Sequence, residues 1–337
     1  MIVLYILLAV VVLLIMVTIH EFGHYTAGKM LGFKINEFSV GFGPALFSKK
    51  RKNGEIFSVR AVPLGGYCAF EGEESESENE GAFMKQKPWK RLIVLFFGAF
   101  FNILSAIIFS FILLVSVGYD IPQVTKINEV NGNIQQYLQV NDIITKVDGT
   151  NVSYIQGNTF NTLISKYTAG DTIELTILRN GEESVIEATM FEGDDNSALL
   201  GINIKSAPYS FWDALKLCIP FTFVLSWQIL VLFFQLITGQ IPLSGLGGPI
   251  TTVTMMAELS MQGISNFLVL LPLIAANLGV FNLLPFPALD GSKMVFTTIE
   301  WIRGKPINQK VENIIHTAGL IILFAIVIIA DVYHLIF

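Results

Sequence analysis

The stretch IVLYILLAVVVLLIMVTIHEFGH, Ile2 to His24, decides how the chain is read. Its first part, Ile2 to Ile19, has no charge and no helix breaker. It comes close to the roughly 20 apolar residues a helix needs to cross a bilayer. No basic segment precedes it and no small-residue cleavage site ends it, so it does not have the form of a signal peptide. His20, Glu21 and His24 follow within five residues, and ionisable groups in an apolar helix are functional by default. Histidines at i and i+4 stand about 40° apart around a helix, so both imidazoles leave from one face. That pair can hold one zinc ion, with Glu21 placed beside it as a general base for water.

Composition agrees with a bilayer environment. Of 337 residues, 53% are hydrophobic and 14% charged, and the mean hydropathy is +0.61. A soluble domain carries about 25% charged residues. The net charge of −6 leaves no basic face for nucleic acid. Four further apolar runs follow the first, at Leu92–Gly118, Leu215–Ile237, Phe267–Leu284 and Ile314–Ala330. Cys68 and Cys218 fall in segments expected on different sides, so no disulfide between them is expected.

Charge sets the expected topology. Residues 25–91 hold 11 of the 21 Lys and Arg, whereas residues 120–207 hold 5 of them against 12 Asp and Glu. The positive-inside rule puts the first block in the cytosol and the second outside. Lys293, Arg303, Lys305 and Lys310 put the loop before the last run in the cytosol as well. If Leu215–Ile237 crossed, that basic loop would fall outside, so this run is read as interfacial or re-entrant, with Trp212 and Trp227 at interfacial depth. The expected fold is a polytopic α-helical membrane protein with four transmembrane helices, a membrane-associated β-hairpin region and an inserted extracytoplasmic α+β domain. The expected segments are 1–31, first transmembrane helix; 32–91, cytosolic β region and acidic loop; 92–118, second transmembrane helix; and 120–207, inserted domain. An interfacial segment follows at 208–262, then the third transmembrane helix at 263–291, and a cytosolic loop with the fourth at 292–337.

The two polar blocks have strand patterns. Lys34–Val40 and Glu55–Val62 alternate around the turn signal Asn53-Gly54, and Pro63–Tyr67 reads PLGGY. An exposed edge there could hold a substrate as an added strand, with Gly65 and Gly66 permitting close backbone approach. The acidic run EGEESESENE, residues 71–80, is expected as a solvated loop. In the second block, Val124–Val130, Asp142–Val147, Thr172–Arg179 and Ser184–Met190 read as strands and Asn158–Lys166 as a helix, and Asn180-Gly181 is a hairpin turn. The order, and the stretch QVNDIITKVDGTNV, resemble a PDZ domain, although no carboxylate-binding GLGF loop is recognisable.

A catalytic zinc needs a third protein ligand and an open position. His316, His334 and Asp290 are the candidates. His334 is expected outside and His316 opens the last helix. Asp290 lies in NLLPFPALDG, where Pro285 and Pro287 forbid regular helix. Unwound backbone at membrane depth is tolerated only against protein or a water-filled cavity. Asp290 is therefore the expected ligand.

Together HEFGH, PLGGY, GAFFNILSA in the second run and NLLPFPALDG are similar to the motifs of the site-2 protease family of membrane-embedded zinc metalloproteases. The single PDZ-like insertion is similar to bacterial members of the sigma-E-pathway type, and LITGQIPLSGLGGPI, residues 236–250, resembles the membrane-associated segment that follows the PDZ there. The resemblance implies Zn²⁺ held by His20, His24 and Asp290, Glu21 as base, and Asn102 and Asn282 as residues that hold substrate backbone. Two departures stand out: Ala99 where proline is common, and Ser292-Lys293 after LDG where Gly-His is common. The implied activity is hydrolysis of peptide bonds in transmembrane substrates within the cell membrane, such as anti-sigma factors or signal-peptide remnants. The expected partners are those substrates and lipid, with no nucleic acid and a monomeric state. The alternative is a non-catalytic membrane scaffold whose PDZ-like domain gathers partners.

Overall fold

Helix α1 spans Ile2–Leu31 and carries HEFGH inside it rather than at its end. It stops at Gly32, whose φ of +82° is a left-handed conformation that glycine adopts at little cost. The fold is described from a computed structural model covering residues 2–336, of which 74–76, 132, 194–197 and 242–246 are outside the described residues. Part of the acidic run, part of the segment 236–250 and the side chain of His334 thus lie outside them.

After α1 come β1 (Ile35–Lys50) and β2 (Ile56–Phe70), longer than the sequence pattern marks. Both strands fold back, so Glu37, Phe38, Ser39 and Val40 of β1 each pair twice: Ser39, for example, meets Tyr67 on one side and Ser58 on the other. The first half of β1 is therefore central, and Gly66–Phe70 forms a flank. Gly54, at φ +88°, makes the turn. The hairpin is anchored by an aromatic core in which Phe33, Phe38, Phe70 and Phe83 pack with Ala27 of α1 and with Val94 and Leu95. These last two belong to α2 (Pro88–Ser116), which opens on a proline whose missing N–H is no loss at a helix start.

The chain divides into two units, residues 1–109 with 225–337, and residues 110–224. The second unit is mainly β: β3 (Pro122–Ile127), β4 (Ile143–Val147), β5 (Thr150–Asn151), then helix α3 (Phe160–Ile164), β6 (Thr172–Arg179), β7 (Glu182–Thr189), β8 (Phe191–Glu192), β9 (Ala198–Leu199) and β10 (Ile202–Ser206). Its main sheet runs β10-β3-β4-β6-β7, with β5 on β4, and β8 pairs β9. Val124, Ile144, Ile173, Leu175 and Ile177 line its core, with Phe160 and Leu163 of α3 against them. Thr159 caps α3 by accepting the Thr162 N–H, the usual work of a threonine at that position.

The remaining helices are α4 (Phe211–Ile237), α5 (Pro249–Met261), α6 (Ile264–Leu283), α7 (Asp290–Arg303) and α8 (Gln309–Ile336). Among the described residues α1, α2, α4, α6 and α8 are long and apolar enough to cross a membrane. In the first unit, small residues let helices approach: Ala9 of α1, Ala106 of α2, and Ala275 and Ala276 of α6 pack with Met16, Ile229 and Met256. Two segments depart from the sequence expectation. Residues 208–262, expected as an interfacial or re-entrant helical segment, hold the two helices α4 and α5 where one run was marked, and the span with the LDG motif ends early. α6 stops at Leu283, before Pro285 and Pro287, and Asp290 opens the separate helix α7 in what was expected to be loop.

Candidate metal centre

His20 and His24 are both buried on one face of α1, one turn apart, and their Nε2 atoms are 3.1 Å from each other. Asp290 reaches the same point from the other end of the chain, with Oδ2 at 3.0 Å from His20 Nε2 and 3.1 Å from His24 Nε2. That Oδ2 is buried and, the two imidazoles apart, has no partner among the described residues. Four ligands about 2.0 Å from a zinc ion in tetrahedral array are about 3.3 Å apart. The observed triangle nearly has that edge, and its donors, two imidazole nitrogens and a carboxylate oxygen, are those zinc takes.

Each imidazole is oriented from behind. His24 Nδ1 lies 2.8 Å from the carbonyl of Val94 on α2, to which it donates, leaving Nε2 as the free lone pair. His20 Nδ1 lies 3.2 Å from the side-chain amide of Asn102, also on α2. Asn102 is fully buried and its Oδ1 has no partner when the amide nitrogen faces the imidazole. Turning the amide over satisfies both groups: Oδ1 accepts from His20 Nδ1–H, and Nε2 is again left for a metal.

The approach of α2 to α1 depends on two glycines. A Cβ on Gly98 would stand 2.5 Å from Cε1 and Nε2 of His24 and 2.7 Å from Cε1 of His20. A Cβ on Gly23 would stand 2.2 Å from the Phe97 carbonyl oxygen. Gly23 lies inside HEFGH and Gly98 opens GAFFNILSA, yet sequence reasoning assigned neither a role. Their signal is the small residue at a membrane helix crossing. Val94 acts through its carbonyl, and no side-chain pattern announces that.

Asp290 is delivered by a tight reversal. Phe286 N–H donates to Leu284 O at 2.7 Å and Leu289 N–H to Phe286 O at 3.1 Å. A Cβ on Gly291 would come within 2.4 Å of the Leu283 and Leu284 carbonyl oxygens, so the chain turns against its own backbone.

The triad opens on a cavity of about 940 Å³, lined among others by Glu21, Asn282, Tyr67, Cys68 and Lys293. Glu21 is half-buried there, and its carboxylate accepts from the Cys68 backbone N–H on the β2 flank. Asn282 lines the same cavity while its amide donates to Leu278 O at 2.9 Å. Asn102, expected on substrate, also lines this cavity, with its amide 3.2 Å from His20 Nδ1. The room left by the two hairpin glycines is taken by the hairpin itself. A Cβ on Gly65, at φ +143°, would meet the Phe42 ring at 2.3 Å, and one on Gly66 would meet the Ser39 carbonyl oxygen at 2.6 Å. The strand residues on the cavity are Asn36 of β1 and Tyr67, Cys68, Ala69 and Phe70 of β2. His316 is not part of the triad; its Nδ1 accepts from the Ala288 N–H at 3.2 Å.

The model of peptidase family M50 matches residues 8–326. The chain belongs to peptidase family M50. Among similar proteins, a Fusobacterium nucleatum protein provisionally named a zinc metalloprotease is 32% identical over 97% of each chain. A Clostridium acetobutylicum protein with the same provisional name is 28% identical, covering 98% of this chain and 97% of its own. Among solved structures, the PDZ domain of an SdrC-like protein from Listeria monocytogenes covers 27% of this chain and 93% of its own, at 22% identity and a TM-score of 0.22. As an M50 peptidase the protein is a multi-pass, zinc-dependent membrane protease, and the scaffold alternative is set aside.

Proposed function

We propose that this M50 peptidase cuts transmembrane substrates at the cavity beside His20, His24 and Asp290, which hold the zinc. The observation that carries this is the convergence of three ligand atoms, all within 4.8 Å of one another, from α1 and α7. A zinc ion held there supplies Lewis acidity to the attacking water and to the scissile carbonyl. Glu21, hydrogen-bonded to Cys68 N–H and facing the same cavity, takes the proton from the water at its carboxylate and returns it to the leaving amine. Asn102 keeps His20 in the required tautomer, and Asn282 offers its amide to substrate backbone at the cavity wall.

A transmembrane helix hides its peptide bonds in i to i−4 hydrogen bonds and must unwind to be cut. The flank Gly66–Phe70 of β2, adjacent to Glu21, is suited to pair with the unwound segment as an added strand. The substrate backbone then exchanges one set of hydrogen bonds for another.

Parity supports the four-span topology. The cavity gathers the latter half of α1, the first half of α2 and the end of α6. On this reading α1 and α6 run toward one membrane face and α2 away from it, so the chain between Ser116 and Ile264 makes an even number of crossings. α4 and α5 then add no net span, and the basic first block and the cavity face the cytosol. The second unit, read as PDZ-like, lies outside and excludes substrates with bulky outer domains. No carboxylate-binding loop is recognisable in it, which favours exclusion over peptide-tail binding.

The test is metal analysis with turnover on the purified protein. His24→Ala and Asp290→Ala should each lose zinc, and Glu21→Gln should keep zinc and lose cleavage by at least about 100-fold. Full zinc in Asp290→Ala, or turnover by Glu21→Gln, would overturn the respective assignment.

A further inference from the structure

We propose that His316, with Gly319 beside it, is a positioning residue that holds Asp290 in place by clamping the backbone of the loop before it. The proposal rests on the reading of Asp290 as a zinc ligand. Ala288, two residues before Asp290, has φ +80°, a left-handed conformation that disfavours a residue with a Cβ by about 1–2 kcal/mol. Such a conformation persists only where its surroundings impose it. The surroundings here are α8. The Ala288 N–H donates to His316 Nδ1 at 3.2 Å, fixing that nitrogen as the acceptor and placing the imidazole proton on Nε2.

A second observation points the same way. Gly319 stands three residues further along the same helix face, and a Cβ there would lie 2.1 Å from Pro287 Cβ and 3.0 Å from the Pro287 carbonyl. α8 thus receives the loop at two consecutive residues, one by a hydrogen bond and one by close backbone contact. Phe296 of α7 meets the imidazole edge-to-face at 5.6 Å, while the buried Nε2 makes no hydrogen bond among the described residues, with Glu312 Oε1 3.8 Å away. Ser292 Oγ is 3.5 Å from Nδ1 but already donates to Leu289 O at 2.8 Å, so the backbone N–H is the donor that matters. Only Leu289 separates the clamped residue from Asp290, so a shift of Ala288 moves the carboxylate against His20 and His24.

The experiment measures zinc affinity of the full-length protein in detergent by chelator competition, alongside its thermal melt. Asparagine can put its Oδ1 near the position of Nδ1, whereas glutamine reaches the position of Nε2. H316N should therefore bind zinc within about threefold of the wild type. H316L and H316Q should bind about 10–100-fold more weakly, the range typical when an outer partner of a metal ligand is removed. In a D290A background H316Q should cause no further loss, because the clamp then has no ligand to place. Equal weakening by H316N and H316Q, or the same loss from H316Q with and without Asp290, would assign His316 to general packing and overturn the proposal. Wild-type affinity in H316Q with weakened D290A would overturn the clamp alone. Wild-type affinity in D290A would overturn the ligand reading and the clamp with it. Should H316L fail to fold, the asparagine and glutamine pair still decides the outcome.

Discussion

At Gly98 one methyl group decides whether two imidazoles can share a metal. Gly98→Ala places a carbon within bonding-clash range of both His20 and His24, and the α2 backbone cannot give way without moving Val94 and Asn102 from behind them. Zinc retention should fall by at least about 10-fold while helical content stays at the wild-type level, as read by metal stoichiometry and far-ultraviolet circular dichroism. HEFGH was legible in the sequence because a four-residue repeat on a helix fixes direction as well as identity. Asp290 was legible because two prolines forbid helix next to it. The carbonyl of Val94 was not legible, since any residue would supply one, and the contact of Asn102 with His20 was not, because an amide does not disclose in the sequence what it will meet.

The β hairpin shows the same division at the scale of elements. Alternation and Asn53-Gly54 announced two strands, but the folding back that pairs Ser39 on both sides depends on contacts that no local pattern encodes. Besides that aromatic core, the hairpin is tied to α1 by Glu55, which is 1% exposed and bonded to Lys29, Arg51 and Asn53. Burial raises the Glu55 pKa, but hydrogen bonds from Lys29, Asn53 and Tyr25 outweigh it and hold the carboxylate below its usual 4.5. A carboxylate with a depressed folded pKa stabilises the protein above the unfolded value and loses that contribution as pH falls below about 4.5. Glu55→Gln should therefore cost about 2 kcal/mol near neutral pH and progressively less on acidification, as read from thermal melts across that range. The split between α6 and α7 was half legible: the prolines marked where the span stops, but nothing in DGSKMVFTTIEWIR separated a helix from the basic loop expected there.

For the molecule as a whole, the second unit is built as an insertion. Gly118 and Ala207 touch at its two ends, where a Cβ on Gly118 would lie 1.8 Å from the Ala207 carbonyl oxygen, and Ala207 N–H donates to Ile121 O at 2.8 Å. Residues 120–207 can thus be excised and the ends joined by a short linker. The shortened protein should cleave substrates that still carry their outer domains, and cleave trimmed ones at the wild-type rate, in a reconstituted assay with both substrates. Unchanged selectivity would remove the exclusion role. The proposed ligand set spans nearly the whole chain, with His20 and His24 at one end and Asp290 towards the other. His24 leaves the ribosome 266 residues ahead of Asp290, which at about 5–20 residues per second is a wait of between about 13 and 53 s. On the proposed ligand set, a chain that ends before Asp290 has only two of the three protein ligands, so the metal centre is completed late in synthesis.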